Sequence, residues 1–240
     1  MKHIGILAHS AEGSALCYLT ACHEGILRLG PHMHPDITLD VVAMGESMDA
    51  WESDDLQYIR DIFFKTATRL ANAGCDFFVC PDNTAHLALE APGEPFPLPG
   101  LYIHRVVAEY AVGKGYSKIG VLGTKWTMDG PLYRDAFADA GLQSMGPEAD
   151  DRHFVNESIF KELCNGEFRE ETQNEYLRII QQFSDQGCDA VVLGCTEIPL
   201  LIPNEISPIP TLDSTRLLAI AAVDVALGDR PLPTWCGGKP

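Results

Sequence analysis

One phrase occurs twice in this chain. Gly74-Cys75-Asp76-Phe77-Phe78-Val79-Cys80-Pro81-Asp82-Asn83-Thr84 returns as Gly187-Cys188-Asp189-Ala190-Val191-Val192-Leu193-Gly194-Cys195-Thr196-Glu197, and in register Cys195 falls opposite Asp82, an offset of 113. Ile4-Gly5-Ile6-Leu7 returns as Ile119-Gly120-Val121-Leu122, an offset of 115. Pro97-Leu98-Pro99-Gly100-Leu101 returns as Pro208-Ile209-Pro210-Thr211-Leu212, an offset of 111. Three matches in one order at a nearly constant offset describe two copies of one supersecondary unit, and a period this long implies two lobes rather than a solenoid.

Each copy alternates buried strands with helices. Short continuous apolar runs at 4–8, 38–44, 76–80, 119–123 and 189–193 predict strands. Asp54 to Ala73 carries Leu56, Ile59, Ile62, Phe63, Ala67, Leu70 and Ala71 on one helical stripe, and Arg169 to Gln186 carries Tyr176, Ile179, Ile180 and Phe183. Gly74 and Gly187 then stand where helix C-caps are expected. This alternation predicts an α/β fold with parallel sheets and right-handed crossovers, with ligands at the carboxyl ends of the strands. Asp82 and Cys195 both lie just past such ends. The Pro- and Gly-rich segments 92–100 and 203–210 read as connections, each followed by a helical stretch, 102–113 and 214–227. The expected lobes are therefore 1–100 plus 212–240, carrying Asp82, and 101–211, carrying Cys195.

The formal charge of −17, from 34 acidic and 17 basic residues, argues against nucleic-acid and anionic-membrane partners, which require clustered Lys and Arg. No apolar run reaches the length of a membrane span. Met1-Lys2-His3-Ile4-Gly5-Ile6-Leu7 reads as a first strand rather than a signal peptide. The eight cysteines form neither a disulfide framework nor a zinc-ligand pattern, so no metal and a reducing, cytoplasmic setting are expected.

Chemistry is carried by strand-end turns. Cys195 follows Gly194, a residue that permits close backbone approach, and N–H groups of that turn would lower the thiol pKa; a buried structural cysteine is the alternative. Asp82 in Pro81-Asp82-Asn83 is either an acid/base group or a turn former or helix cap. Asn83, Thr84, Thr124, Thr127 and Thr196 are candidate carboxylate donors or caps, and Ser10 is a further candidate substrate contact. His86, one helical turn after Asp82, and Glu197 are supporting candidates. The acidic loop near Trp51, together with Trp126, offers cation–π surface to a cationic substrate. No Rossmann or P-loop glycine motif and no pyridoxal-phosphate lysine is evident, so no cofactor is expected.

Cys80-Pro81-Asp82-Asn83-Thr84-Ala85-His86 and Gly194-Cys195-Thr196-Glu197-Ile198-Pro199-Leu200-Leu201, with the opening Ile4-Gly5-Ile6-Leu7 and the Gly123-Thr124-Lys125-Trp126-Thr127 segment, resemble the aspartate/glutamate racemase superfamily over nearly the whole chain. The resemblance implies two pseudo-symmetric flavodoxin-like lobes with the site in the cleft between them, a homodimer, and proton transfer by one cysteine from each lobe. It assigns Cys195 as the second-lobe cysteine, Asn83 and Thr84 as α-carboxylate ligands, and Thr124 and Thr127 as further substrate contacts. Three features depart from the pattern. Asp82 occupies the first-lobe cysteine position, no Lys or Arg lies in 45–55 to hold a distal carboxylate, and His9-Ser10 replaces a glycine-rich opening.

A free Asp titrates at about 3.9 and a free Cys at about 8.5. Burial and a neighbouring thiolate raise a carboxyl group, so a protonated Asp82 facing a Cys195 thiolate forms a workable acid/base pair. The expected function is a cofactor-independent amino-acid racemase using Asp82 and Cys195 on a small carboxylic substrate. A single-cysteine lyase or decarboxylase and a non-catalytic two-lobe binding protein are the alternatives.

Overall fold

The computed structural model describes residues 1–240. In chain order the strands are β1 (Ile4–Ala8), β2 (Ile37–Val41), β3 (Phe77–Val79), β4 (Gly100–Leu101), β5 (Lys118–Gly123), β6 (Gln143–Met145), β7 (Ala190–Gly194) and β8 (Thr211–Asp213). The helices are α1 (Ala11–Leu29), α2 (Met48–Glu52), α3 (Leu56–Asn72), α4 (His86–Leu89), α5 (Ile103–Gly113), α6 (Lys125–Asp129), α7 (Pro131–Asp139), α8 (Ala149–Lys161), α9 (Glu170–Asp185), α10 (Ile198–Leu201) and α11 (Ser214–Leu227). The chain divides into two compact units, Met1–Ile103 with Thr215–Pro240, and His104–Ser214. Each contains one four-stranded sheet, ordered β2-β1-β3-β4 in the first and β6-β5-β7-β8 in the second, with every pairing parallel. The sequence repeat is thus a repeat of topology. No helix is long and apolar enough to cross a membrane.

The predicted helical stripes are the buried ones. Ile59, Phe63, Ala67 and Leu70 of α3 are buried, and Tyr176, Ile179, Ile180 and Phe183 of α9 join Val155, Ile159, Val191 and Leu193 in the core of the second unit. Three strands escape the apolar-run reading. β4 has two residues, β8 has three, and β6 is the polar run Gln-Ser-Met, so none offers a run long enough to register.

The repeated Gly-Cys-Asp has a structural explanation. Gly74 and Gly187 adopt positive φ, 86° and 80°, directly after the C-caps of α3 and α9. Each ends its helix in a Schellman motif: Gly74 N–H donates to the Ala71 carbonyl and Cys75 N–H to Leu70, as Gly187 does to Ser184 and Cys188 to Phe183. The following Asp ties the sheet together. The Asp76 carboxylate accepts the His3 N–H at 2.7 Å and the Lys2 ammonium at 3.1 Å. The Asp189 carboxylate accepts the Ser117 and Lys118 N–H groups at 2.7 and 3.0 Å. These backbone donors hold both carboxyls below their usual range.

A Cβ added at Gly74 or Gly187 would meet nothing within 4 Å, so substitution tests the backbone alone. Gly74→Ala and Gly187→Ala should each cost about 1–2 kcal/mol in urea unfolding, with unchanged slope, because an L-residue is forced to the left-handed conformation.

Candidate active site

In the first unit, adjacent strands β1 and β3 deliver His9-Ser10 and Asp82-Asn83-Thr84 from neighbouring carboxyl ends. Asp82 caps no helix; Ala85 holds the N-cap position of α4. Its carboxylate, 22% exposed, instead meets His9, with Oδ2 3.2 Å from Nδ1. His9 is buried, and its Nε2 lies 2.6 Å from Ser47 Oγ. The Ser47 hydroxyl donates to the Met44 carbonyl at 3.1 Å. Phe63 packs edge-on against the His9 ring at 5.4 Å and Trp51 lies at 6.5 Å. Trp51 is therefore a buried wall of the His9 pocket, not an exposed cation–π platform.

Asn83 is buried beside Asp82, and Thr84 is partly exposed. Ser10 holds the N-cap position of α1, and its carbonyl accepts the Ser14 hydroxyl. His86 is fully buried and donates from Nε2 to the Cys80 carbonyl at 3.1 Å. Its ring stacks on Trp235 at 5.7 Å and meets Tyr102 edge-on at 5.3 Å. Burial lowers its pKa from 6.5 to about 4, so it braces the backbone two residues before Asp82 as a neutral ring. Cys80, directly after β3, is completely buried, and its thiol is pushed well up by burial and by the nearby Asp82 charge. It donates to the Asp82 carbonyl at 3.8 Å, so it stands behind the turn rather than replacing Asp82.

In the second unit, β5 and β7 end side by side, with Gly123 paired to Gly194. A Cβ on Gly194 would lie 2.9 Å from the Leu122 carbonyl oxygen and 3.0 Å from the Thr127 methyl. The glycine thus makes room for Thr127 and the neighbouring strand, rather than for a ligand as its sequence position suggests. Thr124 caps α6, accepting the Thr127 N–H at 3.4 Å, and the two buried hydroxyls lie 3.3 Å apart. Thr124 thus occupies the N-cap position of α6, and Thr127 lies inside the helix. Lys125 lies 4.4 Å over the Trp126 ring, so a side chain of this chain supplies the cation there.

The partly exposed Cys195 donates its thiol proton to Glu197 Oε2 at 2.9 Å. Glu197 and Thr196 are buried. The thiol pKa is raised well above its ordinary value, first by burial and then by the Glu197 negative charge. This reverses the expectation of a turn that lowers it. A backbone hydrogen bond at Glu197 does act downwards, but desolvation and the carboxylate outweigh it. The resting group is a thiol.

Two partners went unrecognised in the sequence: His9 for Asp82, and Ser47 behind it. The available signal was His9's place directly after the first apolar run, since that strand is adjacent to the one ending at Asp82. No three His, Cys, Asp or Glu side chains gather as a metal-ligand set. A groove of about 410 Å³ beside β2 and α3, lined by Val41, Glu46, Tyr58, Lys65 and Arg69 among others, contains none of these candidates.

Comparison with known proteins adds a family. A family model described as Asp/Glu/Hydantoin racemase matches residues 12–222. The broad specificity amino-acid racemase RacX of Bacillus subtilis is 26% identical over 162 residues, covering 67% of this chain and 69% of that protein. A glutamate racemase of Aquifex aeolicus is 30% identical over 163 residues, covering 66% of this chain and 61% of that protein. Among solved structures, a candidate Asp/Glu racemase from Yersinia pestis superimposes with a TM-score of 0.82 at 29% identity, covering 95% of this chain and 100% of that one.

The Cys195–Glu197 contact predicts slow alkylation of Cys195 by iodoacetamide at neutral pH, rising only as pH passes the elevated thiol value. Glu197→Gln removes the adjacent charge and should move that rise to lower pH. Rapid alkylation of the wild-type residue at neutral pH, unchanged in the variant, would contradict a thiol held by Glu197.

Proposed function

The chain belongs to the Asp/Glu/hydantoin racemase family, and on that premise we propose that it is a cofactor-independent amino-acid racemase moving the α proton between Asp82 and Cys195. The observation that supports this reading most strongly is local. Equivalent turns after the equivalent strands β3 and β7 each carry a proton-transferring group hydrogen-bonded to a buried partner, Asp82 with His9 and Cys195 with Glu197.

In one direction the Asp82 carboxylate removes the Cα proton, and the C–H electron pair moves into the substrate carboxylate as an enolate-like anion. The Cys195 thiol then delivers its proton to the opposite face of Cα and becomes a thiolate. The reverse direction begins from that thiolate, whose high basicity beside Glu197 suits removal of a weakly acidic proton. Ser10, Asn83, Thr84, Thr124, Thr127 and Thr196 hold the substrate carboxylate, where donors stabilise the charge that develops.

Segment 45–55 lacks a Lys or Arg to hold a distal carboxylate, which counts against aspartate as the substrate. The broad specificity named for the Bacillus subtilis relative agrees with that choice. A second reading is favoured by the protonated state of Cys195: a single thiol that protonates a carbanion serves a decarboxylase equally well.

Incubation in D2O with a panel of amino acids separates these readings. Deuterium should enter Cα with inversion, and Asp82→Asn and Cys195→Ala should each reduce turnover at least about 10²-fold. Release of CO2 without Cα exchange of an intact amino acid would assign the decarboxylase instead, and binding without turnover would exclude both.

A further inference from the structure

The hydrogen bonds around His9 permit a count of its protons. The Ser47 hydroxyl has one proton and two acceptors in reach, the Met44 carbonyl at 3.1 Å and His9 Nε2 at 2.6 Å. Donated to Met44, that proton leaves Ser47 Oγ to accept from His9 across the 2.6 Å contact, which places a proton on Nε2. In that network a neutral imidazole has no second proton, so Nδ1 would be a bare acceptor facing Asp82 Oδ2 at 3.2 Å. Two bare acceptors do not hold such a contact. A proton lies in it, either from a carboxylic acid donating to Nδ1 or from an imidazolium donating to the carboxylate. Both arrangements are neutral as a pair, which suits a ring that is only 3% exposed and walled by Phe63 and Trp51.

We infer that His9 is a positioning residue that stores a second proton for Asp82, with its tautomer fixed by Ser47 and the Met44 carbonyl. The inference rests on the racemase reading for its consequence. When Asp82 Oδ1 takes the Cα proton, the C–H electron pair stays with the substrate. The proton in the Oδ2–Nδ1 contact then settles on Nδ1, leaving a neutral acid beside an imidazolium. Returning the Oδ1 proton to Cα lets the Nδ1 proton move back towards Oδ2. No proton is created or lost in either direction. Asp82 gains a carboxyl that can be both base and acid, with the charge of the added proton carried by the His9 imidazolium.

Histidine-selective ¹⁵N NMR tests the proton count without substrate, with the His9 signals identified by their loss in His9→Asn. Nε2 should be protonated at about neutral pH, and Ser47→Ala should release that tautomer whereas Ser47→Thr retains it. A wild-type ring with Nδ1 protonated and Nε2 bare would overturn the inference. Kinetics separate storage from mere support. His9→Asn still offers an N–H to Asp82 but no transferable ring proton, so kcat for Cα exchange should fall about 10²-fold with little change in KM. Full activity in His9→Asn would overturn the inference. Should that variant not fold, the loss of kcat in Ser47→Ala and its recovery in Ser47→Thr carry the same test. Because the NMR assignment needs no turnover, the predicted ring signals in a protein inert to every amino acid would count against the racemase reading and leave the proton count standing.

Discussion

Asp76 and Asp189 accept backbone N–H groups at the starts of β1 and β5, and so fix where the next buried strand enters each sheet. The register that follows decides where β3 and β7 end, and hence where Asp82 and Cys195 stand. A slip of one residue would turn every side chain of these strands to the opposite face. Neither aspartate has a part in the proposed proton transfer, yet both copies of the turn depend on them. This is why Gly-Cys-Asp repeats more faithfully than the residues beyond it: the glycine ends the helix, the cysteine is buried, and the aspartate sets the sheet.

Beyond the strand the two copies diverge. The first sets a carboxylate against a buried imidazole, and the second sets a thiol against a buried carboxylate. Each arrangement keeps a proton within reach of its acid/base group by a different route. Cys195 retains its own because burial and Glu197 disfavour the thiolate, and the Asp82 turn retains one in the contact with His9. In the proposed racemase, unlike groups thus meet one requirement, a proton available to the substrate and a partner that tolerates its departure. The pair is also unequal, because the Cys195 thiolate lies beside a carboxylate whereas Asp82 lies beside a ring able to become cationic.

Much of the scaffold is legible in the sequence. The stripes of α3 and α9 follow from helical period, and Gly74 and Gly187 follow from the need for a left-handed residue after a helix. The edge strands β4, β6 and β8 do not, since two or three residues cannot display a period. Of the candidate site, Asp82 and Cys195 are visible because they end repeated apolar runs. Their partners are less so. His9 is 73 residues from Asp82 and meets it only through the pairing of β1 with β3. The direction of the Cys195 pKa depends on tertiary desolvation, which no local turn pattern contains.

The central proposal is that two unlike groups, one in each copy of the repeat, both exchange protons with one α carbon. It is tested most directly by following racemisation of a single protiated enantiomer in D2O from its first turnovers, with label and chirality resolved by mass spectrometry after chiral separation. Two groups predict that newly formed product carries solvent deuterium while the remaining substrate stays protiated, with optical rotation overshooting zero before equilibrium. Product that retains the substrate's own α proton would show one group working on both faces and would contradict the account.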